Sequence, residues 1–253
     1  MITEAFDNLS PAKINPQLAE GAPKIDACIL TFSRVIEQFV TDNFACEQIA
    51  TSYNATGNVP MYAFPFNGKR FAFLKLYEGA PACAAMIEEV FCNIDTDKII
   101  MFGGSGCLNK GIAHGRVMVP TAAYRDEGTS YHYAPAADYI TVKNSDKVAE
   151  FMEKSGIPYV LGKTWTTDAI FRETENNLAK RKAEGCISVE MEVAAAQAVC
   201  DFRGKEFYNF LTSGDLLDAP EWDVRRKEGE LAGTQHDTGH FDIALLLADH
   251  VTG

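Results

Sequence analysis

Short apolar runs bounded by turn residues alternate along the chain with segments of helical periodicity. The apolar runs predict strands at 27–32, 71–76, 98–102, 116–120 and 207–212. The helical segments lie at 34–40, 82–91, 145–155, 172–184, 188–202 and 242–249. This alternation predicts an α/β fold in which a mixed, mostly parallel central sheet is flanked by helices. Because no linker or internal repeat interrupts residues 1–253, we expect a single domain.

Charge and composition restrict the partners of this 253-residue chain, whose formal charge is −12. An acidic surface repels nucleic acid and anionic lipid, so neither is expected as a partner. The seven cysteines lie mostly in apolar stretches without C-x-x-C spacing, which indicates reduced core thiols. Neither a signal-peptide pattern nor an apolar run of about 18 residues occurs. We therefore expect a cytoplasmic protein that acts on a small molecule.

A glycine-rich segment, Gly103-Gly104-Ser105-Gly106, follows the buried strand at 98–102. Ligands of parallel sheets bind beyond the carboxyl ends of the strands, so such a segment is a candidate site. Its backbone N–H groups could form an anion-binding nest, to which Ser105 adds a hydroxyl. A tight turn without a ligand is an equally good interpretation. The dinucleotide fingerprint is incomplete because Asn109 stands where its third glycine belongs.

Three carboxylates lie at the edges of predicted elements. Glu190 and Glu192 begin the otherwise apolar helix predicted at 188–202. Buried carboxylates are costly unless they are paired or hydrogen-bonded, which favours a functional role. The alternative is a pair of first-turn acids stabilised by the helix dipole. Asp215 follows the last predicted strand and can lean over the ligand end of the sheet, although a turn-forming Asp is the alternative.

A dense polar and aromatic loop at 125–133 follows the strand at 116–120 and contains Arg125 and His132. Such a density of functional groups on a loop favours a binding site, and an ordinary surface loop is the alternative.

Three of these four motifs resemble, in order and spacing, those of the nucleoside phosphorylase family, which includes uridine phosphorylase and hexameric purine nucleoside phosphorylase. The segment Val189-Glu190-Met191-Glu192 resembles the ribose-binding signature of that family. The resemblance implies that Glu192 holds the ribose hydroxyls, that Met191 packs against the sugar and that Glu190 belongs to the substrate site. By position, Asp215 resembles the acid with which the purine enzymes protonate the base.

The resemblance also implies residues for the phosphate and the base. Arg34, with Gly104 and Ser105, resembles a phosphate site. The loop at 125–135 resembles that of uridine phosphorylases. The segment at 162–168 resembles the one that leads into the base pocket of the family. This resemblance implies that Ile170 or Phe171 faces the base. The remaining candidates for substrate binding are Arg125, His132 and Arg172.

Two departures from the family pattern concern phosphate. The Gly-Asp pair usual near the end of the first strand is replaced by Leu30-Thr31-Phe32-Ser33, and Met101 occupies the position of an arginine. The hydrolytic branch of the family also lacks that arginine. Arg125 and Arg172 are the candidates to supply the missing charge from another direction.

The sequence thus predicts cleavage of the N-glycosidic bond of a nucleoside, by phosphorolysis to free base and ribose 1-phosphate, with purines favoured over uridine. Inorganic phosphate is the co-substrate, and no cofactor or metal is expected, although His236 and His240 have metal-ligand spacing. The alternatives are a nucleoside hydrolase and a catalytically silent nucleoside-binding or storage protein. The resemblance implies a homodimer or homohexamer.

Overall fold

A single ten-stranded mixed sheet organises the computed structural model, which describes residues 1–55, 57–224 and 238–253. Its strands are β1 Ala27–Thr31, β2 Glu47–Asn54, β3 Gly57–Phe66, β4 Lys69–Lys75, β5 Lys98–Cys107, β6 Val117–Asp126, β7 Tyr139–Thr141, β8 Tyr159–Thr167, β9 Cys186–Glu190 and β10 Glu206–Leu216. The α-helices of the described residues are α1 Arg34–Asn43, α2 Ala80–Asn93, α3 Lys110–Ala113, α4 Ser145–Lys154, α5 Glu175–Ala183, α6 Val193–Phe202 and α7 Gly239–Val251. The predicted α/β class with a mixed sheet and flanking helices is confirmed.

Five strands of the sheet close on themselves. The order β10-β6-β8-β9-β5 is completed by a parallel pairing between β10 and β5, which makes a small barrel. From β5 the sheet continues outward through β1, β4, β3 and β2. The pairings of β1 with β4 and β5 are parallel, whereas β2, β3 and β4 form an antiparallel meander at the open edge.

Helices cover both faces of the sheet. One buried cluster joins α2 and α6 to the face that carries Leu30 and Met101. The second cluster joins α1, α4 and α7 to the opposite face, which carries Ile29 and Phe102. Alternate residues of a strand point to opposite faces, so the nearly continuous apolar runs of β1 and β5 are explained by burial on both sides.

The prediction of a helix at 188–202 is wrong for its first residues. Cys186–Glu190 forms the fully buried strand β9, and α6 begins only at Val193, with Glu192 as its N-cap residue. The two β-branched residues Ile187 and Val189 suit a strand that is buried on both faces. Glu190 and Glu192 therefore stand at a strand-to-helix junction, where a side chain can reach the ligand end of the sheet.

The glycine-rich segment differs from the prediction as well. Strand β5 runs through it to Cys107, so Gly103, Gly104 and Gly106 are strand residues, and none of them has a positive φ. A nest requires a left-handed residue, so the predicted anion-binding turn is not formed there. Gly106 has a packing role instead, because an added Cβ would lie 2.4 Å from Cδ1 of Leu217 and 2.8 Å from Cγ1 of Val189.

Candidate active site

Strand register brings the predicted site segments to one edge of the sheet. Within the barrel, Arg125 of β6 pairs with Thr166 of β8, which in turn pairs with Glu190 of β9. On the other side of the barrel, Gly104 of β5 pairs with Thr212 of β10. Strands β6, β8 and β9 run parallel to one another, and β5 and β10 run parallel to each other, while the two sets meet in antiparallel pairings. The carboxyl ends of β5 and β9 are paired with each other, which brings the glycine-rich segment to the strand end that carries Glu190.

Glu190 is 7% exposed, and both of its carboxylate oxygens are occupied by protein donors. Oε2 accepts the backbone N–H groups of Glu192 and Val193, each at 2.7 Å. Oε1 accepts the hydroxyls of Thr166 at 2.5 Å and Thr164 at 3.3 Å. Burial raises the pKa of Glu190, and these donors oppose that shift. This geometry makes Glu190 the residue that fixes the junction of β9 and α6, and it does not favour the predicted contact with substrate.

Glu192, the N-cap residue of α6, is 8% exposed. Its Oε1 accepts the N–H of Gly79 at 2.6 Å, and its Oε2 accepts the N–H of Met191 at 3.3 Å. Burial raises the pKa of the Glu192 carboxyl well above its usual range, and the neighbouring charge of Glu190 raises it further. A buried carboxylate that still has acceptor capacity is the arrangement expected for a group that binds sugar hydroxyls.

Gly79 was not predicted as a site residue, and the structure brings it into contact with Glu192. It is the N-cap residue of α2, with φ 96° and ψ 143°, a conformation that L side chains rarely adopt. Nothing lies within 4 Å of the position that a Cβ would take. The glycine is therefore required by backbone conformation, which directs its N–H at Glu192, rather than by crowding.

The predicted phosphate residues are separated. Ser105 is 6% exposed, and its hydroxyl donates to the carbonyl of Thr212 at 3.3 Å. Gly104 lines a cavity of about 20 Å³ together with hydroxyls of Thr31 and Ser33. That volume holds about one water molecule. Arg34 is the first residue of α1 and is exposed beside this cavity without lining it.

Asp215 lies near the end of β10, as predicted, and is half-buried. Its Oδ2 accepts the indole N–H of Trp222 at 2.6 Å. Glu173, which follows the 3-10 turn Ile170–Arg172, is also half-buried and lies within the electrostatic reach of Asp215. Burial, and then the charge of Asp215, raise the pKa of Glu173 to about 7. Neither Glu173 nor Trp222 was predicted as a site residue.

The side chain of Arg125 makes hydrogen bonds to the loop that follows β6. Its Nε donates to Oγ of Ser130 at 2.7 Å, and its terminal nitrogens donate to the carbonyls of Pro135 at 2.6 Å and Ala134 at 3.3 Å. The guanidinium also lies 4.0 Å from the centre of the Tyr131 ring. At 4% exposure, Arg125 organises the loop at 126–138, and this arrangement does not favour its prediction as a substrate or phosphate ligand. His132 lies in the same loop and is exposed.

The residues predicted to face the base are exposed. Ile170 is 51% exposed and Phe171 is 92% exposed, while Arg172 beside them is exposed too. Met191, between the two glutamates, is half-buried. Ile170, Phe171 and Arg172 are thus largely open to solvent in the chain taken by itself.

The sequence carried signals for only some of these groups. Strand ends located Glu192 and Asp215, and Gly79 before Ala80-Pro81 had the composition of a helix start. Nothing local marks Glu173 or Trp222, because their meeting with Asp215 depends on the tertiary path of two loops. Among the described residues, no group of three His, Cys, Asp or Glu side chains could hold a metal ion. His236 lies outside those residues. No helix in that part of the chain is long and apolar enough to cross a membrane.

Comparison with known proteins finds relatives over most of the chain. The family model of the phosphorylase superfamily matches residues 29–236. The purine nucleoside phosphorylase DeoD-type of Colwellia psychrerythraea is 26% identical over 190 residues, which cover 73% of this chain and 79% of that protein. The corresponding protein of Bacillus subtilis is 21% identical over 203 residues, which cover 78% and 84%.

A solved structure shares the fold. The crystal structure of AMP nucleosidase from Bacteroides thetaiotaomicron superposes with a TM-score of 0.68 over 90% of this chain and 89% of that chain. The sequence identity is 17%, so this likeness concerns the fold alone.

Proposed function

The chain belongs to the phosphorylase superfamily, and from this membership we propose that it cleaves the N-glycosidic bond of a purine nucleoside. The observation that carries the proposal is Glu192, a buried carboxylate at the ligand edge, oriented by the N–H of Gly79. Cleavage builds positive charge on the ribose and negative charge on the leaving base. An ionised Glu192 that accepts hydrogen bonds from ribose hydroxyls fixes the sugar and favours the cationic transition state.

The base end of the site carries the second part of the proposal. Asp215 lies on β10, with its Oδ1 3.5 Å from the position that a Cβ of Gly106 would take, and Gly106 pairs with Val189 of the strand that leads to Glu192. An acid at this place can assist departure of a purine. The relatives from Colwellia psychrerythraea and Bacillus subtilis are named as purine nucleoside phosphorylases, which supports a purine substrate in preference to uridine. The exposed Phe171 and Ile170 supply apolar surface beside the acid for the base.

Phosphate is the proposed nucleophile, and ribose 1-phosphate is the proposed second product. The names of the relatives support this choice, and Arg34 follows Ser33, which lines the cavity beside Gly104. Inorganic phosphate is thus a co-substrate, and the reaction requires no other cofactor.

Hydrolysis is the second candidate because of Met101. This side chain is 1% exposed and apolar at the position where the phosphorylase pattern has an arginine, and Arg125 is occupied elsewhere. With fewer cations at the edge, water competes better with phosphate for the anomeric carbon. The neighbour of known structure is named as a nucleosidase, which agrees with this alternative.

One experiment separates the candidates, including a silent nucleoside-binding protein. Inosine, adenosine, guanosine and uridine are incubated with the protein, with and without phosphate, and free base, ribose and ribose 1-phosphate are measured. We expect purine base and ribose 1-phosphate only with phosphate. Release of ribose without phosphate would replace phosphorolysis by hydrolysis, and binding without any release would support the silent protein.

A matched pair of variants ties the activity to the site. Glu192→Gln keeps the shape but removes the charge, and we expect turnover to fall by about 10²-fold or more, the scale for losing one preorganised group. Glu153→Gln alters an exposed acid at the end of α4 and serves as the control. Turnover of Glu192→Gln within a few-fold of the control would remove Glu192 from the mechanism.

A further inference from the structure

The first backbone N–H groups of α6 need acceptors, because no preceding helical turn supplies them. The residue at the N-cap position usually provides one with its own side chain. Glu192 occupies that position, yet within the described part of the chain its carboxylate makes no capping hydrogen bond to α6. It accepts instead the N–H of Gly79 at 2.6 Å and that of Met191, which precedes the helix, at 3.3 Å. Other groups must therefore cap α6.

Two neighbouring strands supply the missing acceptors. Oε2 of Glu190, at the end of β9, accepts the N–H groups of Glu192 and Val193, each at 2.7 Å. Oγ1 of Thr166, the second-last residue of β8, accepts the N–H of Ala194 at 3.1 Å. Three successive N–H groups, from the N-cap residue onward, are thus satisfied from outside the helix. The carboxylate of Glu192 is not needed for any of them.

The hydroxyl of Thr166 joins both parts of this cap. Thr166 pairs with Glu190 in the register of β8 and β9, it is 0% exposed, and its hydroxyl donates to Oε1 of Glu190 at 2.5 Å. The hydroxyl thus uses its proton on the carboxylate and a lone pair on the helix. Thr164, on the same face of β8, donates to the same Oε1 at 3.3 Å or to the carbonyl of Ser188 at 3.4 Å. Among the described hydrogen bonds, Thr166 is therefore the side chain that links Glu190 to α6.

We propose that Thr166 is a positioning residue for the cleavage reaction: by capping α6 together with Glu190, it leaves the carboxylate of Glu192 available for the ribose hydroxyls. The inference rests on the proposed function, in which Glu192 holds the sugar. It adds a residue that acts through hydrogen bonds to the protein and does not touch the substrate.

Removal of the Thr166 hydroxyl has a specific consequence. The N–H of Ala194, a residue that is 0% exposed, loses its acceptor, and an unpaired buried N–H is costly. An N-cap side chain can reach the N–H groups two or three residues further along the chain. Ala194 lies two residues after Glu192, so the carboxylate of Glu192 is the replacement that the helix itself offers. Glu192 then turns away from Gly79 and from the sugar.

The crystal structure of Thr166→Val tests the proposal without substrate. Valine has nearly the shape of threonine and lacks the hydroxyl. We expect a carboxylate oxygen of Glu192 to leave the N–H of Gly79 and to accept the N–H of Ala194. Thr166→Ser, which keeps the hydroxyl, should retain the contact between Glu192 and Gly79. A Glu192 carboxylate that stays on the N–H of Gly79 in Thr166→Val would overturn the proposal.

Kinetics provide the second arm. We expect Thr166→Val to lower kcat for inosine by about 10- to 100-fold, the scale for a misplaced catalytic group, and to change KM by only a few-fold. Thr166→Ser should recover most of the lost kcat. Thr96→Val is the matched control, because Thr96 is 3% exposed and its hydroxyl accepts the N–H of Lys98 at 3.4 Å, at the amino end of β5. This control should lose stability in urea and keep the kcat of the wild-type protein.

Two kinetic results count against the hydroxyl of Thr166: a kcat of Thr166→Val equal to that of Thr96→Val, or a kcat of Thr166→Ser as low as that of Thr166→Val. Thermal unfolding verifies that each variant is folded. If Thr166→Val does not fold, Thr166→Cys takes its place, because a thiol is only a weak donor and acceptor. A wild-type protein that cleaves no nucleoside would contradict the proposed function, whereas the crystal structure of the Thr166 variant still decides what positions Glu192.

Discussion

The backbone N–H of Gly79 donates to Oε1 of Glu192 across 2.6 Å, and this contact joins the N-termini of two helices at one carboxylate. Gly79 is the N-cap of α2 and Glu192 is the N-cap of α6. Helix N-termini carry partial positive charge, which favours a carboxylate placed between them. The dipoles of the two helices thus offset part of the desolvation cost of the Glu192 carboxylate, a residue that is 8% exposed.

Gly79→Ala should reduce activity through this contact. The residue has φ 96°, so alanine is strained there by about 1–2 kcal/mol, although its Cβ would meet nothing within 4 Å. Relief of that strain turns the N–H away from Glu192. We expect kcat/KM to fall by about 10- to 100-fold, the scale for a misplaced catalytic group.

Gly156→Ala is the matched control, because Gly156 has φ 66° and equally open surroundings after α4. The two variants should lose similar stability in urea denaturation, and only Gly79→Ala should lose activity. Equal activities of the two variants would show that the orientation of Glu192 does not depend on Gly79.

Five of the ten strands in the described residues, and the strand ends at which the candidate site lies, followed from the sequence. Continuous apolar runs identify β1 and the first half of β5 because both are buried on two faces. Strand β2 lacks such a signal, since most of its residues are exposed or half-buried, and it is held by its antiparallel pairing with β3. Asp215 was found because polar residues after strands are diagnostic in this class of fold.

The roles of individual residues were harder to predict, because a motif specifies residue types and not hydrogen-bond partners. Glu190 and Glu192 are two positions apart in one motif, yet one is fully occupied by protein donors and the other faces the edge. Arginine commonly binds anions, but the guanidinium of Arg125 donates hydrogen bonds to three residues of the following loop, Ser130, Pro135 and Ala134. Such assignments depend on loop paths, which no local pattern encodes.

Ionisation of Glu192 should lower the stability of the fold as pH rises. Its pKa is higher in the folded chain than in the unfolded chain, where it is about 4.3. The favourable contribution of the protonated form is therefore fully present below about pH 4 and is lost as pH rises through the folded pKa. Glu192→Gln, which cannot ionise, should gain about 1 kcal/mol or more over the wild-type protein between pH 5 and pH 9.

The check is thermal unfolding of both proteins at each pH, with Glu153→Gln as the exposed control. The Tm difference between Glu192→Gln and the wild-type protein should grow with pH, while that of the control stays constant. A difference independent of pH would mean that Glu192 titrates in the folded protein as it does in the unfolded chain.

Arg125→Met should destabilise the fold without selective loss of phosphate binding. The guanidinium is buried and makes hydrogen bonds to Ser130, Pro135 and Ala134, so its removal leaves buried acceptors unpaired. We expect a loss of about 2–3 kcal/mol in the free energy of unfolding, measured in urea. A phosphate KM that rises while stability and nucleoside KM stay constant would instead restore Arg125 as a phosphate ligand.

Assembly is a further expectation, which the family resemblance motivates. Phe171, Ile170 and Trp222 expose large apolar side chains, and Trp222 contacts Asp215; such surface commonly marks an interface. We expect a homodimer or homohexamer by light scattering at micromolar concentration. A monomer under those conditions would contradict the expectation, and activity of that monomer would show that the site is complete in one chain.

Asp215→Asn distinguishes a purine enzyme from a uridine enzyme. A purine leaves more readily once a ring nitrogen is protonated or hydrogen-bonded, whereas uracil has no equivalent of purine N7. As the proposed acid for the base, Asp215 acts mainly in the transition state. We therefore expect the variant to lower kcat for inosine or adenosine far more than it raises KM. Efficient cleavage of uridine, no purine activity and little effect of Asp215→Asn would reject the purine assignment and leave glycosidic cleavage in place.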